Sequence, residues 1–296
     1  MSGASKIIKN RIKSVRTTHN IARAMELVAA AKIKKATNSL LASRTYARHA
    51  QELLASLARE SKLRHPLLLQ TKSSKELLIV VASNKGLCGS YNTNIVKAAV
   101  QYIKNNKDKE IDIIAVGRKA EAISKWSKGK VIASFVKFPD DVRPDDITAL
   151  PKMVIGDFTK KIYGKVSIAF TDFVSSLKYD AKVSSLLPIT KENLAEVSGI
   201  KNIPKRPTAS ILFEPGEEEV LNLILPRLTE VRIYQSLLEA NASEHSARMI
   251  AMRNATDSAK TMVEELSLYY NQARQAAITQ EIAEISSGTE ALTDAR

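Results

Sequence analysis

Glycine, proline, aromatic residues and cysteine are all scarce in this sequence. Its 296 residues include 10 glycines, 9 prolines and only 5% aromatic residues, a composition that favours long helices over an all-β body. The single cysteine, Cys88, excludes an intramolecular disulfide and fits a reducing compartment. The longest apolar runs, such as Leu77–Ala82, are far shorter than the ~20 residues that a membrane-spanning helix needs.

The histidines and the net charge limit the ligands to consider. The four histidines are scattered singly, and no His/Cys cluster has the spacing of zinc ligands, so we expect no metal and no cofactor. The net charge of +14 indicates an acidic partner surface, nucleic acid or an anionic membrane, without choosing among them. A basic coiled-coil protein that binds nucleic acid is an alternative, although Tyr46 is the only aromatic residue before His65 that could stack on a base.

Two long segments, residues 4–65 and 227–287, contain neither glycine nor proline. In each segment apolar and small residues recur at a mean spacing of about 3.5 residues, the period of a left-handed coiled coil. The N-terminal seam is rich in alanine, so its partner helix must approach closely. We predict one coiled-coil helix in residues 1–65 and a second, antiparallel helix in residues 215–288 that ends at Gly288.

Residues 70–212 have a different pattern, in which short β-branched runs alternate with helical stretches, as in a parallel α/β sheet. The expected strands are Glu76–Ala82, Ile111–Val116, Lys130–Phe135 and Lys165–Thr171, with Val183–Leu187 and Ala209–Phe213 at an edge. The expected helices are Asn92–Asn105, Arg118–Trp126 and Asp145–Ile162. The predicted fold class is therefore α/β: a long antiparallel two-helix coiled coil, formed by the N- and C-terminal helices, plus a central Rossmann-like domain.

One glycine-containing turn is expected between the first strand and the helix that follows it, where a doubly wound sheet binds phosphate. Its spacing matches neither the dinucleotide-binding nor the P-loop fingerprint, so we interpret Gly86, Leu87, Cys88 and Gly89 as a structural turn. Lys85 lies near Cys88, but no nearby histidine or carboxylate supports a reactive thiol. We therefore expect no catalytic residue and no direct nucleotide binding.

Four segments carry a resemblance to a known family. They are residues 12–32 (IKSVRTTHNIARAMELVAAAK), residues 86–89 (GLCG), residues 243–249 (SEHSARM) and residues 270–282 (YNQARQAAITQEI). Together they resemble the gamma subunits of F-type ATP synthases. The resemblance implies a non-catalytic central-stalk subunit that rotates inside a hexamer of alternating alpha and beta subunits. Its rotation would couple proton translocation through the membrane sector to ATP synthesis or hydrolysis on beta.

The resemblance also implies which residues meet which partner. Contacts with beta are expected from Met25, Arg248, Arg274, Gln275, Thr279 and Glu281. The side that meets epsilon and the membrane c-ring is expected at Leu212, Phe213 and Glu214. The expected location is peripheral, on the cytoplasmic face of a bacterial inner membrane or, alternatively, on the matrix side of the mitochondrial inner membrane.

Overall fold

The computed structural model describes residues 3–60, 65–69, 73–125, 130–136, 138–139, 142–190 and 216–294. Its α-helices are α1 (Gly3–Glu60), α2 (Tyr91–Asn105), α3 (Ala149–Thr159) and α4 (Glu217–Asp294). Its strands are β1 (Lys75–Val81), β2 (Glu110–Val116), β3 (Val131–Phe135), β4 (Lys165–Phe173) and β5 (Tyr179–Leu187). Two 3-10 helices, Arg118–Lys125 and Pro144–Ile147, follow β2 and precede α3.

The strands form one sheet in the order β3-β2-β1-β4-β5. The pairs β1–β2, β1–β4 and β2–β3 are parallel, whereas β5 is antiparallel to β4 at the edge. The predicted α/β domain is confirmed, but its sheet is mixed rather than wholly parallel. The edge strand begins at Tyr179 and runs antiparallel because a short hairpin, too short for a parallel crossover, joins it to β4. The expected strand Ala209–Phe213 lies outside the described residues.

Both faces of the sheet are buried. Leu77 and Ile79 belong to an apolar cluster shared with α3 and α4, whereas Leu78 and Val80 belong to a cluster shared with α2. Successive strand residues point to opposite faces. From Leu77 to Val81 the central strand β1 is therefore continuously apolar, because each of its faces packs against helices.

The helical stretches around β3 are shorter than the sequence predicts. In place of Arg118–Trp126 the chain forms the 3-10 helix Arg118–Lys125. The expected helix Asp145–Ile162 is divided into a 3-10 turn and α3, which ends at Thr159. Lys161 adopts a φ of 62° just beyond that end. A left-handed backbone cannot continue a right-handed helix, which explains the early stop.

The inward positions predicted from the 3.5-residue period are inward in the structure. Every such position of α1 with a described side chain is buried or partly buried: Ile8, Ile12, Val15, His19, Ala22, Met25, Ala29, Ile33, Ala36, Leu40 and Ser43. On α4 the same holds for the predicted positions from Val220 to Ala277, whereas Gln280 is exposed. The two long helices of the predicted fold are confirmed by their lengths of 58 and 78 residues.

The predicted end of the second long helix at Gly288 is wrong, because α4 continues to Asp294. Gly288 has nothing within 4 Å of the position that a Cβ would occupy. A lone exposed glycine costs a helix only about 1 kcal/mol relative to alanine, so it need not stop one. The other predicted domain boundaries, at residues 65, 70, 212 and 215, stay predictions.

The chain divides into two compact units, one made of Met1–Val28 with Met249–Arg296 and the other of Ala29–Arg248. The second unit holds the sheet and the adjoining parts of the two long helices. Within it, α1 and α4 meet through a cluster formed by Ala36, Leu40, Phe173, Leu238 and Ala242. The Gln235 amide also donates to the Ser43 carbonyl oxygen at 3.4 Å.

Candidate functional site

The turn that contains Gly86–Gly89 lies at the carboxyl edge of the sheet, between β1 and α2. In the observed strand order, the chain leaves β1 towards β2 on one side, whereas β4 lies on the other side. Doubly wound sheets bind their ligands in the crevice at this point. The turn therefore occupies the position where a nucleotide-binding relative of this fold would hold phosphate.

The turn is fixed by its own polar groups. The Asn92 side chain accepts a hydrogen bond from the Ser83 N–H at 3.0 Å and donates to Cys88 Sγ at 3.1 Å. Gly89 adopts a φ of 55°, which glycine does at little cost, but Leu87 adopts a φ of 62°, which costs a leucine about 1–2 kcal/mol. The structure is consistent with our interpretation of Gly86, Leu87, Cys88 and Gly89 as a structural turn.

Helix α4 fills the crevice beside this turn. The Tyr91 hydroxyl donates to the Ala240 carbonyl oxygen at 3.1 Å, and the Ser243 hydroxyl donates to the Thr171 carbonyl oxygen at 3.3 Å. Burial raises the pKa of Tyr91 well above its usual range, which keeps the hydroxyl a donor. A cavity of about 60 Å³ remains between Tyr91, Asn84 and Glu244, whereas pockets for small ligands usually exceed about 300 Å³.

Arg248 is built into the same contact. Its side chain is nearly buried, with a relative exposure of 8%. Its guanidinium donates to the Glu244 carboxylate at 2.6 Å and to the Gly86 carbonyl oxygen at 3.4 Å, and it lies 3.2 Å from His245 Nδ1. Arg248 therefore connects α4 to the turn. Its expected contact with beta stays a prediction, and its guanidinium points into the chain.

The other residues expected to contact beta lie in the first compact unit. Met25 is partly buried on the inward side of α1. Four of the residues, Arg274, Gln275, Thr279 and Glu281, are exposed on α4. The structure thus brings Arg248 together with the turn and leaves these four side chains exposed.

Leu212, Phe213 and Glu214 lie outside the described residues. Among the residues that the structure describes, no group of three or more His, Cys, Asp and Glu side chains is placed to hold a metal ion. Within the same ranges, no helix has the length and apolar character required to cross a membrane.

Arg232, which joins α4 to the sheet, was not expected from the sequence. The buried Arg232 guanidinium donates to the carbonyl oxygens of Ser185 at 2.9 Å and Leu186 at 3.4 Å. At this point β5 has a bulge, since Val166 pairs with Leu187 and Ser167 pairs with Ser185. A bulge disrupts the ladder and leaves a residue unpaired, which the arginine compensates. Arg232 stands among other charged residues of α4, such as Arg227 and Glu230, so the sequence carried no signal that set it apart.

Comparison with known proteins settles the family. The family model described as ATP synthase matches residues 4–292. The ATP synthase gamma chain of Chloroflexus aurantiacus is 36% identical over 296 residues, covering 98% of this chain and 99% of its own. The ATP synthase gamma chain of Trichlorobacter lovleyi is 39% identical, and the match covers 97% of this chain and 98% of that one.

The chain belongs to the ATP synthase gamma-chain family. A solved structure of an ATP synthase central stalk agrees with this assignment. The structure of the Tetrahymena thermophila mitochondrial ATP synthase central stalk and c-ring contains a chain that is 27% identical, with a TM-score of 0.59. The match covers 79% of this chain and 99% of that one. The predicted resemblance is therefore confirmed, and no comparison supports the nucleic-acid alternative.

Proposed function

We propose that the chain is the rotating central-stalk subunit of an F-type ATP synthase. The observation that carries this proposal is its similarity to gamma chains over nearly the full length of both sequences. The two long helices and the central α/β domain supply the structure that such a subunit needs. Proton flow through the membrane sector would turn the subunit, and its rotation would drive ATP synthesis, or ATP hydrolysis would drive it in reverse.

The physical step is a shift of conformational populations on beta. A rotor can bias a beta site only by as much as its contacts differ between the conformations of that site. Such contacts are available to side chains that face outward. Exposed Arg274, Gln275, Thr279 and Glu281 meet that requirement, and we assign them a contact with beta. Met25 and Arg248 are assigned to a second contact with beta. Arg248 supports that contact by holding the turn at Gly86 in place.

The chain itself is proposed to be non-catalytic and to bind no nucleotide directly. The crevice where a doubly wound sheet would hold phosphate is occupied by α4, through Tyr91 and Ser243. Catalysis is assigned to beta. The remaining proposed partners are alpha, epsilon and the c-ring, with Leu212, Phe213 and Glu214 on the c-ring side. The proposed location is peripheral at a bacterial inner membrane or, alternatively, a mitochondrial inner membrane.

Co-purification tests the proposal. A tagged chain expressed with its own operon partners or in its own organism should bring down alpha, beta and epsilon, with about one copy per three beta subunits. The control is the same tag on an unrelated basic coiled-coil protein. Recovery of nucleic acid with none of these subunits, in a manner that weakens steeply with salt, would contradict the proposal and favour the alternative.

A further inference from the structure

Two titratable side chains of α4 contact one arginine. Glu244 and His245 are adjacent in sequence, and Arg248 lies one helical turn further on. Residues three or four apart share one side of a helix, whereas adjacent residues do not face each other. The Arg248 guanidinium therefore reaches both side chains. Its Nη2 donates to Glu244 Oε1 at 2.6 Å, and its Nη1 lies 3.2 Å from His245 Nδ1.

The contact with Arg248 determines which form of His245 fits. A guanidinium has only N–H donors and no acceptor, so His245 Nδ1 must accept the hydrogen bond. The ring is therefore neutral, with its hydrogen on Nε2. A proton added to Nδ1 would remove the acceptor and place two cations in direct contact. Because His245 is only 2% exposed, water would do little to reduce their repulsion.

The charges around His245 offer a protonated ring little compensation. The Gln235 amide donates to the Ser43 carbonyl oxygen, and this antiparallel register places the partly buried Lys32 of α1 close to the level of His245. The turn and the start of β5 pack on the same part of α4, and their titratable groups are Lys85, Cys88, Tyr91, Lys178 and Tyr179. Among these described residues the only carboxylate is that of Glu244, which is already paired with the guanidinium.

The same guanidinium supports the turn at Gly86–Gly89. Its Nη2 donates to the Gly86 carbonyl oxygen at 3.4 Å. The next residue, Leu87, adopts a φ of 62°, a conformation that persists in a leucine only where its surroundings hold it. Because Nη1 and Nη2 belong to one rigid plane, a movement of Nη1 away from His245 also moves Nη2 away from the turn.

We propose that His245 positions Arg248 and makes the turn at Gly86–Gly89 a pH-sensitive switch. With a neutral His245 the guanidinium holds the Gly86 carbonyl oxygen and the turn is closed. Protonation displaces the guanidinium, and the turn then opens locally. Histidine side chains ordinarily change charge between about pH 5 and pH 8, so the switch opens in mildly acidic solution. It belongs to the chain itself and does not depend on the proposed rotor function.

The thiol of Cys88 reports whether the turn is open. Cys88 is the only cysteine of the chain and is 2% exposed, so a thiol reagent reaches it only when the turn moves. The measurement is the rate at which dipyridyl disulfide modifies the native full-length chain, divided by the rate for the same chain in urea at the same pH. This ratio cancels the titration of the thiol itself. We expect it to rise by at least about tenfold from about pH 8 to about pH 5.5, since the closed turn loses a hydrogen bond from a charged group.

Two variants separate His245 from the rest of the chain. In His245→Gln the ratio should stay low and change by less than about twofold, because an amide oxygen accepts from Arg248 but takes up no proton in this range. The matched control is His65→Gln, which removes a second buried histidine and should retain the full rise. A rise that persists in His245→Gln, or that is absent from the unmodified chain or from His65→Gln, would overturn the proposal.

A spectroscopic measurement on the unmodified chain tests the switch without relying on the folding of His245→Gln. Isotope-labelled histidine ring nitrogens have well-separated chemical shifts with and without a hydrogen, and substituting the other three histidines in turn assigns them. At about pH 8, Nδ1 of His245 should be the nitrogen without a hydrogen. A protonated Nδ1, or a ring that titrates without a change in the amide resonance of Gly86, would contradict the switch. Either result would leave the proposed rotor function unaffected.

Discussion

At the scale of single residues, Arg248 is the side chain with the most consequences. It carries an ion pair with Glu244, donates to the turn at Gly86 and is nearly buried. Removing it would leave the Glu244 carboxylate partly buried without this partner. Its role inside the chain can therefore be measured without any other subunit.

We expect Arg248→Ala to lower the free energy of unfolding of the isolated chain by about 2 kcal/mol, since a hydrogen bond to a charged group contributes about 1.5–3 kcal/mol. Urea denaturation measures this effect. Arg227→Ala is the control. Arg227 also forms an ion pair within one turn of α4, with Glu230, but its side chain is exposed. Equal stability of the two variants would show that Arg248 acts chiefly on a partner subunit instead.

His65 gives a prediction about pH. Burial lowers the pKa of His65 below its usual value of 6.5, against the opposing effects of the hydrogen bond that its Nε2 donates to Asn222 Oδ1 and of the charge of Glu218. Its Nδ1 accepts from the Leu67 N–H at 3.1 Å, so the neutral ring is the form that fits. Between the folded pKa and 6.5 the unfolded chain binds more protons, and stability therefore rises with pH in this window.

The expected result is a free energy of unfolding that falls as the pH is lowered through and below 6.5, with a smaller fall in His65→Gln. Urea titrations at a series of pH values measure both slopes. His19→Gln is the control, because it removes a histidine that is only partly buried, at an inward position of α1. If His65→Gln retained the slope of the unmodified chain, the titrating group would lie elsewhere.

At the scale of elements, the structure could be predicted from the sequence wherever a local repeat determines it. The 3.5-residue period identified the long helices and their inward sides, since that repeat directly determines which residues share a helix face. The same period could not identify the contact of α4 with the sheet. Ser243 and Arg232 are buried in that contact, and their hydrogen-bond partners, Thr171 and Ser185, lie 72 and 47 residues away in sequence. No local pattern encodes such contacts.

The terminal part of α4 can be tested as an element. All residues from 278 to 288 are exposed, in contrast to the alternating burial that extends to Ala277. We expect deletion of Ser287–Arg296 to leave assembly and most coupling intact, because residues 287 and 288 bury little surface in this chain. A longer deletion that begins at Arg274 should impair coupling. ATP-driven proton pumping by reconstituted complexes measures both.

At the scale of the whole molecule, the two compact units imply a division of roles. The unit of residues 29–248 is held together by apolar clusters on both faces of a sheet and by polar bonds to α4. The unit of residues 1–28 and 249–296 has a helical seam and an exposed outer surface. Substitutions on that outer surface should affect binding to other subunits far more than folding.

Replacing Arg274 and Gln275 with alanine tests this division. Both side chains are exposed, so the stability of the free chain should change by no more than about 0.5 kcal/mol. Proton pumping and ATP turnover in reconstituted complexes should fall by at least about tenfold, since loss of one charged hydrogen bond costs about 1.5–3 kcal/mol. The control is Arg253→Ala with Asn254→Ala, an exposed pair of similar chemistry in the same phase of the repeat. Coupling that survives the first pair but is lost on deletion of Ser287–Arg296 would place the contact with beta nearer the end of α4.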